Sequence, residues 1–520
     1  MAGGNSAKPT PSGRSRDLKK MEKEILSKAH HGIAIPLSAL RSKTSCGIGE
    51  FPDLIPLIDW CKKVDFDLIQ ILPINDSGTD PSPYNALSGS ALHPIYIGLR
   101  QLEQTHCTEL EKLLKKLESL NGGKRVAYKE VLENKMLYLE RYYELKGQEI
   151  CAKESFQNFC KTQDHLLPYA LFKVLKENMQ GQNWQDWPEE IRTCSHHHYK
   201  ELLHRHEKEV QYHMFLQYLC YDQLLRIKQY ASEKNILLKG DIPILISPDS
   251  ADVWHHREFF DLTHSAGAPP DRFTPEGQYW GFPLYKWNIL EQQDFAWWKT
   301  RLRYAENFFH LYRIDHVIGF FRIWAIKRGE CASRGQFLPN EPWQALAQGR
   351  KLLEMLKKSS KMVPIGEDLG ITFDGMNEVM QELKIPGTKV MRWEKLPPNE
   401  YQKLSMTCLS THDSETLAQW WENEPNEAKQ FAKQIGMVYK PTLSKEMRKK
   451  ILHAAHTSNS LFHINLLGEY LALSSDLVWE NLDDERINRP GQIVEENWTY
   501  RMRPYLEVLS QQSFYHLLHF

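Results

Sequence analysis

Short apolar runs recur along the chain with amphipathic helical stretches between most of them, and this alternation restricts the fold more than any other feature. The runs are GIAIPL (32–37), DLIQILPIN (67–75), ILLKGDIPILI (236–246), LYRIDHVIGF (311–320), MVPIGEDLG (362–370), GTKVMRW (387–393), TCLSTHDS (407–414) and SDLVWENL (475–482). A near-continuous apolar run bounded by polar residues is the pattern of a strand buried on both faces, as in a parallel sheet. The intervening segments, SKEMRKKILHAAH and EPWQALAQGRKLLEMLKKS among them, repeat apolar residues at helical spacing. Eight βα units predict a closed (β/α)8 barrel of the TIM type. Polar residues foreign to a buried strand stand at or just past the C-terminal ends of five runs: Asn75, Asp241, Asp315, Glu367 and Asp413. In such a barrel that face carries the active site.

Two spacings exceed an ordinary βα loop. The interval 100–220 is charged and helical, as in TELEKLLKKLESL, and predicts an inserted helical subdomain. The interval 247–310 is rich in aromatic residues, Pro and Gly, the composition of an ordered lid over an active site. The barrel domain is expected over 31–520, behind a polar tail at 1–30.

Charge narrows the partners. Lys and Arg number 65 against 66 for Asp and Glu, a net charge of -1, so no long-range field draws the chain to nucleic acid or anionic membrane. A neutral substrate is expected. The longest clean apolar stretches fall short of the roughly 18 residues that a membrane-spanning helix requires, which predicts a soluble protein. The 9 cysteines show no CxxC and suit a reduced interior, and the first sixteen residues lack the apolar stretch of a secretory signal; both point to the cytoplasm. Residues of that composition also suit an organelle transit peptide, a plastid one included. Five His in SHHHYKELLHRH (195–206) lack a Cys or carboxylate at ligand spacing, so no metal is expected there.

Three strand ends carry chemistry. In RIDH, Arg313 and Asp315 are two apart and share one side of a strand; the guanidinium would keep the carboxylate ionised, as a nucleophile requires. The same pair also serves as a structural ion pair. GEDLG supplies Glu367 and Asp368, adjacent carboxylates that would raise one another's pKa and hold a proton, or would cap a helix. STHDSETL brings His412 and Asp413, again with a capping alternative. Together they form the set that glycosidic cleavage needs: one carboxylate to attack, one to donate a proton, and one to steady the sugar. Aromatic residues concentrated in the loops suit the C–H faces of sugar rings.

At these residues the chain resembles the 4-alpha-glucanotransferases (amylomaltase, disproportionating enzyme; glycoside hydrolase family 77). The resemblance spans about His31 to Arg501. It includes CGIGEF (46–51), ILPIND and SPYNALS (71–88), KGDIPILISPDSADVW (239–254), AGAPPDRFTPEGQYWGFPLYKW (266–287), LYRIDHVIGFFR, PIGEDLG, STHDSETLAQWW, and RINRPG followed by NWTYR (486–501). It implies Asp315 as nucleophile, Glu367 as general acid/base and Asp413 as the third carboxylate. Arg313, His316 and His412 would surround the sugar, Asp368 would join them, Tyr84 and Asp241 would line the donor side, and Phe273, Gln278 and Trp280 would lie on a lid over the acceptor. The implied fold is a (β/α)8 barrel with inserted helical subdomains and no C-terminal β-sandwich. The implied activity moves a segment of an α-1,4-glucan to the 4-OH of another glucan or glucose, with retention, no cofactor and maltooligosaccharides as partners; oligomeric state is left open. A hydrolase on the same carboxylates and a non-catalytic glucan-binding protein are the alternatives.

The chain departs from the family pattern at Arg272-Phe273, where Tyr-Phe is common, at Phe282 in place of Asn, and at Arg489 in place of a small or apolar residue. The first two positions bear on acceptor affinity and chain-length preference, the third on the far rim of the cleft.

Overall fold

A computed structural model describes residues 20–193, 195–271 and 274–511. Eight parallel strands form its centre: β1 His30–Ile35, β2 Leu68–Ile71, β3 Leu237–Ile242, β4 Leu311–Ile314, β5 Val363–Gly366, β6 Gly387–Val390, β7 Ser405–Cys408 and β8 Phe462–Leu466. The ladder runs β5-β4-β3-β2-β1-β8-β7-β6. β5 and β6 close the ring, where Gly366 N–H donates to Pro386 O at 2.8 Å and Thr388 Oγ1 to Gly366 O at 2.9 Å. Helices cover the outside, the arrangement that strands apolar on both faces demand.

Seven of the apolar runs overlap strands, and the eighth does not. Residues 475–482 hold a short 3-10 helix, Ser475–Leu477, and the last strand lies upstream at Phe462–Leu466. That strand, FHINL, carries two polar residues on its outer face, toward the covering helices. His463 stacks on His31 of β1 with ring centroids 4.7 Å apart, and Asn465 accepts from Leu409 N–H at 2.9 Å and donates to Tyr470 Oη at 2.9 Å. The polar tail expected over 1–30 also stops short: residues 20–25 are helical, Ile25 is buried, and Lys357 donates to Glu22. Residues 1–19 lie outside the described residues.

Seven helices separate β2 from β3: Thr108–Ser119, Tyr128–Cys151, Glu154–Thr162, Leu166–Asn178, Glu189–Thr193, His196–Arg205 and Glu207–Glu233. The His-rich segment forms the sixth of these. The last buries Val210, His213, Gln217, Cys220, Leu224, Ile227 and Ala231, a three-to-four-residue spacing that packs it on the barrel. Two of its glutamines grip the long loop after β2 by the backbone. Gln217 accepts from Leu92 N–H (2.9 Å) and donates to Leu92 O (2.7 Å), and Gln223 does the same at Gly98 (2.8 and 3.0 Å). The insertion thereby anchors the loop that carries Tyr84.

Lys135 ties the insertion to the segment after β1. It is wholly buried and donates to Glu50 Oε1 (2.5 Å), Ile95 O (2.6 Å) and Ile97 O (2.8 Å). Lys135→Met strands the buried Glu50 carboxyl, and the expected loss is about 3–5 kcal/mol in equilibrium denaturant unfolding. Adding Glu50→Leu to that variant should recover much of it, because the polar pair is then removed whole.

The interval 247–310 folds partly against the residues after β4. Strands His264–Ala268 and Gln278–Tyr279 join Ile323–Lys327 and Gln336–Leu338 in a small antiparallel sheet. No helix among the described residues is long and apolar enough to cross a membrane.

Candidate active site

The C-terminal ends of β3, β4, β5 and β7 bring four carboxylates toward one guanidinium. Arg313 and Asp241 are opposite one another in the β3–β4 ladder, which puts both side chains on the inner face. Arg313 Nη1 donates to Asp241 Oδ1 and Oδ2 at 2.9 and 3.0 Å and to Asp315 Oδ1 at 2.7 Å, while Nη2 lies 3.5 Å from Glu367 Oε2. Tyr84 reaches over from the loop after β2 and donates to Asp241 Oδ2 at 2.7 Å. The pair read from RIDH is an ion pair, and Asp315 still faces the cleft with 23% of its side chain exposed.

Glu367 ends β5 and is no helix cap, since the next helix, Met376–Glu382, starts at Gly375. Its Oε2 accepts from His316 N–H at 2.9 Å and its Oε1 from Leu369 N–H at 2.9 Å. His316 donates from a left-handed backbone, φ 45°, a conformation that costs a non-glycine residue roughly 1–3 kcal/mol and accumulates at functional sites. Burial pushes the Glu367 carboxyl up to about 8; Arg313 opposes the shift and the nearby Asp315 adds to it. The raised Glu367 carboxyl thus stands beside the Arg313-paired Asp315.

Asp368 stands apart. It accepts from Thr388 N–H at 2.6 Å on β6, and burial raises its pKa. The repulsion between Glu367 and Asp368 expected from their adjacency is replaced by that between Glu367 and Asp315. Adjacent residues leaving a strand point to opposite sides, and only one can face the cleft.

Asp413 is also no cap. Thr416 caps helix Leu417–Asn423 in a reciprocal pair with Gln419, leaving Asp413 to accept from Asn488 Nδ2 at 2.7 Å and to lie 3.2 Å from His412 Nε2. Its depth in the cleft raises its pKa, but His412 and Asn488 outweigh that and hold the carboxyl at about 2. His412 stacks on Tyr84 at 5.3 Å, and Trp498 leans on both rings at 5.4 and 5.6 Å. On the far side the Trp280 ring meets His316 edge-on at 5.1 Å and donates to Gln278 Oε1 at 3.0 Å. Phe273 lies outside the described residues.

Three members were missed. Trp498 and Asn488 fall in motifs quoted above, NWTYR and RINRPG, but no strand end marks them. Lys239, two residues before Asp241, is wholly buried inside the barrel, where Nζ donates to Gln70 Oε1 at 2.8 Å and contacts Met406 Sδ at 3.0 Å. Burial, with Arg313 adding to it, lowers its pKa to about 7. A charged residue inside an otherwise apolar run was the available signal. Arg489, the departure at the cleft rim, is paired with Asp483 at 2.7 Å.

Residues 35–507 match the family model described as 4-alpha-glucanotransferase, glycoside hydrolase family 77. The chain belongs to this family. It is 44% identical to the 4-alpha-glucanotransferase of Chlamydia pneumoniae over 496 residues, 92% of each chain. Identity to the 4-alpha-glucanotransferase of Synechocystis is 30%, over 92% of this chain and 95% of that one. Among solved structures, the amylomaltase of Streptococcus agalactiae in complex with acarbose superposes with a TM-score of 0.80 at 24% identity, covering 94% of this chain and 98% of that one. The amylomaltase of Corynebacterium glutamicum gives 0.78 at 19% identity, covering 96% and 75%. These two likenesses establish the shared barrel. The glucanotransferase family thus accounts for the fold and the transferase activity, and its relatives favour neither the hydrolase nor the binding-protein alternative.

Proposed function

We propose that this 4-alpha-glucanotransferase disproportionates maltooligosaccharides in the cytoplasm by double displacement at Asp315 and Glu367. Asp315 Oδ attacks the anomeric carbon of the donor while Glu367 gives its proton to the departing 4-oxygen, leaving a covalent glycosyl-enzyme and a Glu367 carboxylate. That carboxylate takes the proton of the acceptor 4-OH as the new bond forms, and both groups return to their starting states. Asp413, with Asn488 beside it, accepts from hydroxyls of the sugar being cleaved. Tyr84, His412 and Trp498 give that sugar an aromatic wall. Gln278 and Trp280 cover the acceptor side and favour a sugar over water for the intermediate. Arg313 and His316 hold the two reacting carboxyls. The observation that supports this most is the single guanidinium between Asp315 and a Glu367 still protonated at neutral pH. A net charge of -1 suits a neutral glucan such as glycogen, starch or maltodextrin.

Incubation with maltotriose alone tests the proposal. The expected products are glucose and a ladder of longer oligosaccharides with constant total reducing ends. A steady rise in reducing ends would make water the acceptor and the protein a hydrolase; binding without any product would revive the non-catalytic reading.

A further inference from the structure

Two aromatic rings meet His412, and the helical insertion holds the segments that bring them. Tyr84 rides on the loop that Gln217 and Gln223 anchor. Trp498 sits on the loop 486–500, which follows the 3-10 turn Leu482–Glu485 and also carries Asn488. Residues 490–496 of that loop are all exposed, so no core of their own fixes its course. Asn497 shapes it from within, accepting from Arg489 N–H at 2.9 Å and donating to Gln492 O at 2.8 Å.

One guanidinium spans the base of this loop. Arg125, between helices Thr108–Ser119 and Tyr128–Cys151 of the insertion, donates through Nη1 to Arg486 O at 2.9 Å and Glu496 O at 3.1 Å, and through Nη2 to Asp483 O at 2.6 Å. Its neighbour Val126 donates its N–H to Thr499 O at 2.8 Å. The carbonyls of 483 and 486 lead into Asn488, and those of 496 and 499 bracket Trp498. Trp498 has φ 63°, a left-handed conformation that a residue with a side chain keeps only where its surroundings enforce it. Its own N–H crosses to Ile487 O at 2.8 Å, so the two stems are joined at the residue that is strained. A planar fork with donors on both arms can hold two stems at one spacing, whereas an ammonium is a point charge on a flexible stem.

We infer that Arg125 is a positioning residue for glycosyl transfer: it sets the spacing of the two stems, and with it the seat of Asn488 on Asp413 and of the Trp498 ring against Tyr84 and His412. The inference rests on the reading of those groups as the wall around the sugar being cleaved. These bonds of Arg125 run to backbone oxygens, so its effect reaches the sugar through the loop. The insertion then fixes the wall from two sides, Tyr84 by its glutamines and Trp498 by this arginine. Displacing such a wall by about 1 Å can cost about 100-fold in rate even when the change is made far from the reacting atoms.

Arg125→Met keeps the side-chain stem and removes the fork. In the full-length protein it should lower kcat/KM on maltotriose by roughly 10–100-fold. In a background carrying both Asn488→Ala and Trp498→Ala, the same substitution should cost less than about threefold, since residues that act through one another are not additive. A residue that only supports the fold would lose the same factor in both backgrounds. If Arg125→Met does not fold, Arg125→Lys carries the same comparison: it keeps the charge without the fork, and a partial loss confined to the otherwise wild-type protein is expected. Full activity in the folded variant, or equal loss in both backgrounds, overturns the inference. Should Asn488→Ala and Trp498→Ala together leave activity intact, the reading of the sugar site falls and the inference with it; a loss there with none in the Arg125 variant sinks the inference alone.

Discussion

Asp315→Asn is expected to lower kcat on maltotriose by about 10^4-fold or more while leaving the dissociation constant for maltooligosaccharides within a few-fold of the wild type. The amide keeps the size of the side chain and an acceptor oxygen for Arg313, but it has no anionic oxygen to attack the anomeric carbon. Arg313 retains its ion pair with Asp241, so the pocket does not lose its only counter-charge. In the proposed mechanism the loss falls on the chemical step alone, which is the pattern of an interaction made only in the transition state. Mass spectrometry after treatment with a 2-fluoro maltosyl fluoride gives a second reading: the wild-type protein should carry the sugar on the peptide containing Asp315, and the variant should carry none. Full activity in Asp315→Asn would place the nucleophile elsewhere.

Glu367→Gln should cost on the order of 10^2–10^4-fold with natural donors, the range for a lost general acid. The defect should shrink for the first step with a maltosyl fluoride donor, because fluoride leaves without needing a proton. The wild-type pH profile carries the same information. Glu367 acts first as an acid, so kcat/KM depends on its protonated form, which is full well below about pH 8 and is lost as pH rises through that value. The alkaline fall should therefore vanish in Glu367→Gln. A wild-type profile flat through that region would remove the acid role from Glu367.

The barrel was legible because its strands are apolar on both faces, and the acids at their ends stand out against that background. β8 was not legible, since His463 and Asn465 interrupt FHINL with polar groups whose partners, His31, Leu409 and Tyr470, lie on other segments. SDLVWENL imitated a strand through Leu477 and its neighbours, although only tertiary packing decides which apolar residues are covered. The same limit applies in the cleft. Asp315, Glu367 and Asp413 announce themselves by position along the chain, whereas Trp498 and Asn488 reach the site by the path of a loop that no local pattern encodes. Asp368 shows the converse: its chemistry suits the site, and the turn after β5 points it the other way.

The pairing of β1 with β8 sets a timetable for synthesis. Gly32 sits beside Ile464, so the first strand waits roughly 430 residues for one of its two neighbours. At about 5–20 residues per second the wait is about 20–90 s. Throughout it, one edge of β1 offers its free N–H and C=O groups to any strand that passes, and the ring cannot close around the buried Lys239. A ribosome stalled anywhere before residue 462 therefore holds an open, sticky sheet, and whatever shields that edge in the cell governs how much of the chain reaches the finished barrel.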